Sequence, residues 1–272
     1  MLRIAVIIPA AGSSRRYAEA ANLDGPRSKL DEDLGGRPVL HRTVEALANY
    51  DGPGVTLGPL IVAGPHDEDA FSTFKLRHGD KLSILGVRLV RGGPTHRWET
   101  VRAALEAAPD DVTHIAVHDA ARPCVSSALL DRVFDAAGRH AAVVPGIDVA
   151  DTIKRVCEHP VEETEPDPLA AILGGDTGGA GPREVESTLE RRGLVAVQTP
   201  QVFEAGLFRR AYAQDDLSST DDAGLVERLG EPVVVVEGEA ANLKITTPID
   251  LTLARAVLGL RPAGERPSHR RF

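Results

Sequence analysis

Val6-Ile7-Ile8-Pro9-Ala10-Ala11-Gly12-Ser13-Ser14-Arg15-Arg16 decides the reading of this chain. A short apolar strand runs into small residues, then into hydroxyls and two arginines. Small side chains let a backbone approach a ligand closely, and free N–H groups in such a loop can cradle phosphate. Arginine adds a charged fork that fits phosphate oxygens. A second basic segment, Arg27-Ser28-Lys29, follows downstream. The stretch reads as a nucleoside triphosphate site at the carboxyl end of the first strand. The plainer alternative is a tight strand–helix turn with solvated arginines.

Outward from that loop, strand and helix signals alternate. Residues 3–8 are an unbroken apolar run of the parallel-sheet kind. Further strands are expected at 60–63, 87–91, 114–118, 141–144, 194–197 and 233–236. Helices are expected from Pro38 to Leu47, His66 to Arg77, Trp98 to Ala108, Ala128 to Ala137, near Phe203–Ala213, and from Leu251 to Leu258. The alternation predicts an α/β fold, a mostly parallel central sheet with helices on both faces. Residues 1–260 are expected to form one domain, interrupted at about 157–183 by a flexible acidic and Gly-rich insertion. Residues 261–272 read as a disordered tail.

The 272 residues carry 31 Lys+Arg against 40 Asp+Glu, a net charge of −9, which argues against nonspecific nucleic-acid binding. Phosphate can still bind where the few cations converge. No apolar run approaches the roughly 18–20 residues of a membrane span, and no leader is expected before the first strand. Cys124 and Cys157 have neither zinc-type spacing nor the look of a disulfide framework, so a reducing cytoplasm is expected.

Several later segments carry polar residues just after strands, where ligands bind in open α/β sheets. In Asp119-Ala120-Ala121-Arg122-Pro123, a carboxylate can hold Mg²⁺ against a triphosphate, or simply cap a helix and pair with Arg122. Gly92-Gly93, with Arg97 and Thr100, permits close backbone approach to a base or sugar, or makes an ordinary turn. Asp151-Thr152-Ile153-Lys154 offers a hydroxyl and a cation, or a solvated strand end. Thr220-Asp221-Asp222-Ala223 looks first like a helix N-cap. Asn242-Leu243-Lys244-Ile245-Thr246 sets one cation beside an amide before a helix. Neither Gly-x-x-x-x-Gly-Lys-Ser/Thr nor Gly-x-Gly-x-x-Gly follows the first strand, which disfavours P-loop NTPases and NAD dehydrogenases. The lack of Gly-x-Ser-x-Gly disfavours an α/β-hydrolase.

Taken in order, Pro9-Ala10-Ala11-Gly12…Arg16, His118-Asp119-Ala120-Ala121-Arg122-Pro123, Gln198-Thr199-Pro200-Gln201, Thr220-Asp221 and Asn242-Leu243-Lys244-Ile245-Thr246 resemble the 2-C-methyl-D-erythritol 4-phosphate cytidylyltransferases of the non-mevalonate isoprenoid pathway. The resemblance runs from about Ile4 to Leu258. It implies a Rossmann-like nucleotidyltransferase fold, CTP and a polyol phosphate as substrates, Mg²⁺, and a homodimer built through a protruding arm. It implies further that Ala10, Ala11, Gly12, Gly93 and Thr100 recognise cytidine, and that Arg16 and Lys29 grip the triphosphate. Asp119 falls to the ribose or metal region and Arg122 to the methylerythritol phosphate. Thr152, Arg191 and Thr220 surround that second substrate, Arg191 across the dimer, and Lys244 contacts both substrates.

The chain departs from the family pattern in three places. It is longer between Arg16 and Lys29, so Arg27 competes with Lys29 as second triphosphate cation; the spacing to Gly35 and Leu40 favours Lys29. Pro94 stands where an acidic residue is usual, and the 157–183 insertion falls on the arm. A cytidylyltransferase for another polyol phosphate, such as ribitol 5-phosphate, a uridylyl- or guanylyltransferase, and an inactive nucleotide-binding module remain alternatives.

Overall fold

The computed structural model describes residues 1–12, 14–21, 28–159 and 181–260. Ser13, Arg27, residues 160–180 of the expected insertion and the expected 261–272 tail lie outside the described residues. The chain divides into two compact units, Met1–Ile147 with Val197–Phe272, and Asp148–Ala196.

In chain order the first half contains β1 (Leu2–Pro9), α1 (Arg15–Ala20), a 3-10 turn over Lys29–Asp31, α2 (Val39–Ala48), β2 (Val55–Gly64), α3 (Glu68–Ile84), β3 (Val87–Arg91), α4 (Arg97–Glu106) and β4 (His114–Val117). The second half contains α5 (Ser127–Ala137), β5 (Ala142–Asp148), β6 (Lys154–Val156), β7 (Val185–Thr188), β8 (Val195–Val197), β9 (Gln201–Glu204), α6 (Ala205–Ala211), α7 (Ala223–Arg228), β10 (Val234–Glu237) and α8 (Pro248–Val257).

The main sheet of the larger unit runs β10-β5-β9-β4-β1-β2-β3. β1 lies parallel to β2 and β4, β2 to β3, and β5 to β10, while β9 runs antiparallel between β4 and β5. β1 shows why an unbroken apolar strand is needed. Ile4, Val6 and Ile8 face one side, packing with α2, α5 and α8 through residues such as Val44, Phe134 and Leu251. Ala5 and Ile7 face the other, with Val101 of α4, Phe208 of α6 and Leu225 of α7. A strand buried on both faces has no polar side.

The order reverses at β1: β2 and β3 follow on one side, β4 on the other. Loops leaving the carboxyl ends of β1 and β4 therefore open a crevice, where open α/β sheets bind ligands. Helix starts are fixed locally. The Asp67 and Ser126 side chains accept from the N–H groups of Ala70 and Leu129 at the heads of α3 and α5. Asp250 accepts from the N–H groups of Thr246 and Thr247 ahead of α8.

The smaller unit holds an antiparallel ribbon in which Lys154 of β6 faces Thr188 of β7 and Arg155 faces Ser187. Its side chains are mostly exposed.

Candidate active site

A cavity of about 620 Å³ opens at the β1/β4 crevice. Its walls come from the loop after β1, the head of α1, Lys29, the loop from Gly93 to Thr100, the turn Asp119–Ala121, and Lys244 with Thr246. Ala10 is anchored by its N–H to the Ala63 carbonyl at 2.7 Å. Among the described residues, a Cβ built on Gly12 would meet nothing within 4 Å. Arg15 and Arg16 line the cavity from the exposed head of α1.

Lys29 is fixed at both ends. Its N–H donates to Ser14 Oγ at 3.2 Å, and its Nζ donates to the Ile245 carbonyl at 2.7 Å. Burial, then the Lys244 cation, lowers its ammonium to about 8, with Asp119 offsetting part of the fall. Asp119 receives Lys244 Nζ at 2.9 Å and Arg122 Nε at 3.3 Å on one oxygen. Arg97 Nε stands 4.0 Å from the other. Burial pushes the Asp119 carboxyl up, but Lys244 and Arg97 outweigh it and hold it well below the usual carboxylate range.

The turn beneath Asp119 is built by a hydrogen-bonded circuit. Its N–H donates to Thr199 Oγ1 at 3.0 Å; that hydroxyl lies 3.2 Å from His118 Nδ1, and His118 Nε2 lies 3.1 Å from the Arg122 carbonyl. Burial lowers fully enclosed His118 to about 4, so the neutral ring donates through Nε2 and accepts from Thr199 at Nδ1. The Ile245 N–H donates to the Ala121 carbonyl at 2.8 Å and Arg122 Nη1 to the Asn242 carbonyl at 2.7 Å. Those two bonds tie the Lys244 segment to the Asp119 turn across more than a hundred residues of chain.

Of the residues expected from sequence, Ala10, Ala11, Gly12, Arg16, Lys29, Gly93, Thr100, Asp119 and Lys244 converge on this cavity. Arg122 stands behind it, buried, with its guanidinium engaged by Asp119 and Asn242. Thr220 is exposed and does not line the cavity. The helix-start reading of its segment holds with a shifted cap, because Asp221 accepts from the Gly224 N–H at 3.0 Å. Thr152 and Arg191 belong to the smaller unit, where both are exposed and Arg191 donates to the Ala150 carbonyl. Gly93 has a packing reason to be glycine: a Cβ there would sit 2.0 Å from Glu99 Cβ. Its N–H donates to Thr100 Oγ1 at 3.1 Å.

Sequence reasoning missed the clamp on Arg97. Arg97 Nη2 donates to Asp222 at 2.7 Å, and Tyr212 donates to the same carboxylate at 2.5 Å. Burial works against the Arg97 charge, yet Asp222 holds it firmly in place. Asp222 lies within a quoted motif, but no local pattern pairs it with a residue 125 positions away. Among the described residues, no three or more His, Cys, Asp or Glu side chains are placed to hold a metal. No described helix is long and apolar enough to cross a membrane.

The sequence model of the family described as "IspD: 2-C-methyl-D-erythritol 4-phosphate cytidylyltransferase" matches residues 4–168 and 175–260. The chain belongs to this family. It is 40% identical over 257 residues to the 2-C-methyl-D-erythritol 4-phosphate cytidylyltransferase of Rhodococcus jostii, covering 94% of this chain and 95% of that one. The Frankia casuarinae protein of the same name is 39% identical, over 94% of this chain and 81% of its own length. The crystal structure of the Thermus thermophilus cytidylyltransferase superposes with a TM-score of 0.64 at 32% identity, covering 95% of this chain and all of that one. In this member of the family the cavity sits where the strand order of the main sheet reverses.

Proposed function

We infer that this chain transfers the cytidylyl group of CTP to 2-C-methyl-D-erythritol 4-phosphate, giving CDP-methylerythritol and pyrophosphate. The observation that carries the reading is the convergence of Lys29, Lys244 and Asp119 at the floor of the crevice, in a member of this family. The acceptor phosphate is largely dianionic near neutral pH, with a second pKa of about 6, so the reaction needs no general base. Its oxygen attacks the α-phosphorus of CTP, the bond to the β-phosphate oxygen breaks, and pyrophosphate leaves. The difficulty is bringing two anions together, which fixed cations relieve.

In this reading Ala10, Ala11 and Gly12 admit the nucleotide, and Gly93 with Thr100 meets the cytosine. Arg16 and Lys29 grip the triphosphate, and Lys244 spans both substrates. For the acceptor the family resemblance implies Arg122, Thr152, Thr220 and a partner subunit's copy of Arg191; none of these positions lines the cavity described above, and Arg122 is engaged behind it by Asp119 and Asn242. A carboxylate suits Mg²⁺, which keeps several waters and takes its other ligands from substrate phosphates. Asp119 would hold that ion, which supplies charge neutralisation at the α-phosphate. The reading includes a cytoplasmic homodimer, built through the arm that the family resemblance implies.

The test offers CTP, UTP, GTP and ATP separately with the acceptor and Mg²⁺, and weighs the products. CDP-methylerythritol from CTP alone, abolished by EDTA and restored by Mg²⁺, is the expected result. Product from UTP or GTP at equal rate would overturn the nucleotide assignment.

A further inference from the structure

Behind Lys29, away from the cavity, three elements meet in a buried polar chain that the reaction does not use directly. Asp31 closes the 3-10 turn that begins at Lys29. Asp31 Oδ1 lies 2.8 Å from His78 Nε2, in the middle of α3. His78 Nδ1 lies 3.0 Å from His41 Nε2, on α2. Both imidazoles are enclosed, His78 at 1% and His41 at 3% exposure. Phe74 packs on His78 with ring centroids 4.8 Å apart, and Arg77 pairs with the other Asp31 oxygen.

Two buried histidines joined to each other and to a carboxylate are a costly way to fill a core, since every polar atom must find a partner. Burial keeps His41 uncharged, lowering it to about 4. With His78 Nε2 donating to Asp31, the short His78 Nδ1–His41 Nε2 contact is closed by a single proton shared between the two rings, so the chain is continuous from Asp31 to His41. Its outer end is fastened to the residue two positions beyond Lys29, while Lys29 itself is held by Ser14 and Ile245 on the cavity side.

We propose that His41 and His78 are positioning residues for Lys29: through Asp31 they lock the 3-10 turn against α2 and α3, so that the Lys29 ammonium is presented to the nucleotide triphosphate. The proposal rests on the assignment of Lys29 to that triphosphate. A displacement of about 1 Å at a catalytic group, caused from a distance, can reduce turnover by up to about a hundredfold.

The experiment is a double-mutant cycle on the full-length enzyme, with kcat and the KM values for CTP and for the polyol phosphate measured per folded protein. Lys29→Ala, His78→Phe and the combination Lys29→Ala/His78→Phe are compared. His78→Phe is expected to lower kcat about tenfold, leave KM for the polyol phosphate unchanged, and add nothing once Lys29 is gone. His78→Gln, which can still donate to Asp31, should recover most of the loss. Asp31→Ala, on a partly exposed side chain, gives the same reading if His78→Phe does not fold. Losses that add in the double variant, or an unchanged kcat in well-folded His78→Phe and Asp31→Ala, would overturn the proposal while leaving the Lys29 assignment intact. A near-normal kcat for Lys29→Ala would overturn both.

Discussion

Lys29→Met exchanges an ammonium for an apolar side chain of similar length, and it should separate stability from activity. In the folded chain Lys29 gives up its proton near pH 8 rather than 10.5, because burial and the neighbouring Lys244 and Arg16 cations disfavour its charge. At about 1.4 kcal/mol per pH unit, that fall corresponds to about 3 kcal/mol against the charged form at neutral pH. The side chain is only partly enclosed, so solvent screening leaves about half, ~1.5–2 kcal/mol. Replacement also strips the Ile245 carbonyl of its 2.7 Å donor, a loss of about 1 kcal/mol. The variant should therefore be ~0.5–1 kcal/mol more stable at pH 7, while turnover falls on the order of 10²-fold. Between pH 8 and 10.5 the unfolded chain keeps this proton and the folded chain does not. Wild-type stability accordingly gains from Lys29 as pH rises through that window, and the variant has no such gain. The advantage of Lys29→Met is present below pH 8 and becomes a deficit toward pH 10.5. Urea unfolding of both proteins across that range, with equal m-values, reads the difference. A stability difference that stays constant with pH, or a variant already less stable at pH 7, would refute the reasoning.

Other consequences follow from the same geometry. The kcat/KM for CTP should decline above about pH 8 as Lys29 loses its charge, and Lys29→Arg should flatten that alkaline limb because arginine stays charged. Asp222→Ala should cost ~1.5–3 kcal/mol in urea unfolding, since it strips half-buried Arg97 and buried Tyr212 of the carboxylate they share. Gly93→Ala should lower stability by about 1–3 kcal/mol and raise KM for CTP, because its Cβ collides with the first turn of α4. Gly12→Ala should raise KM for CTP without moving Tm, because its Cβ points into open space.

The strands and helices of the doubly covered sheet are legible because burial on two faces leaves an apolar run that nothing else in the chain mimics. β3 falls on the residues expected, and α5 within one. α3 runs seven residues past its expected end at Arg77, because His78 and Leu82, not the exposed stretch before them, hold it to the core. β9 merges with the following helix in the sequence pattern: four residues leave no room for a period, and Glu204 turns directly into α6 by accepting from Gly206 and Leu207. The small and charged residues after β1 and β4 mark the cavity, since loops at strand ends hold the groups that the sheet cannot. What local sequence does not reveal is pairing at long range. Arg97 with Asp222, Lys29 with Ile245, and Arg122 with Asn242 each join segments more than a hundred residues apart. The burial of Arg122 follows from such a pairing, because Asp119 and the Asn242 carbonyl both need its guanidinium.

Steady-state pyrophosphate release with CTP and Mg²⁺, run in parallel on 2-C-methyl-D-erythritol 4-phosphate and ribitol 5-phosphate, bears most directly on the function. Rapid release with methylerythritol phosphate, lost in Lys29→Ala and Lys244→Ala, is the predicted result. Release with ribitol 5-phosphate alone, or CTP binding without release from either acceptor, would contradict it.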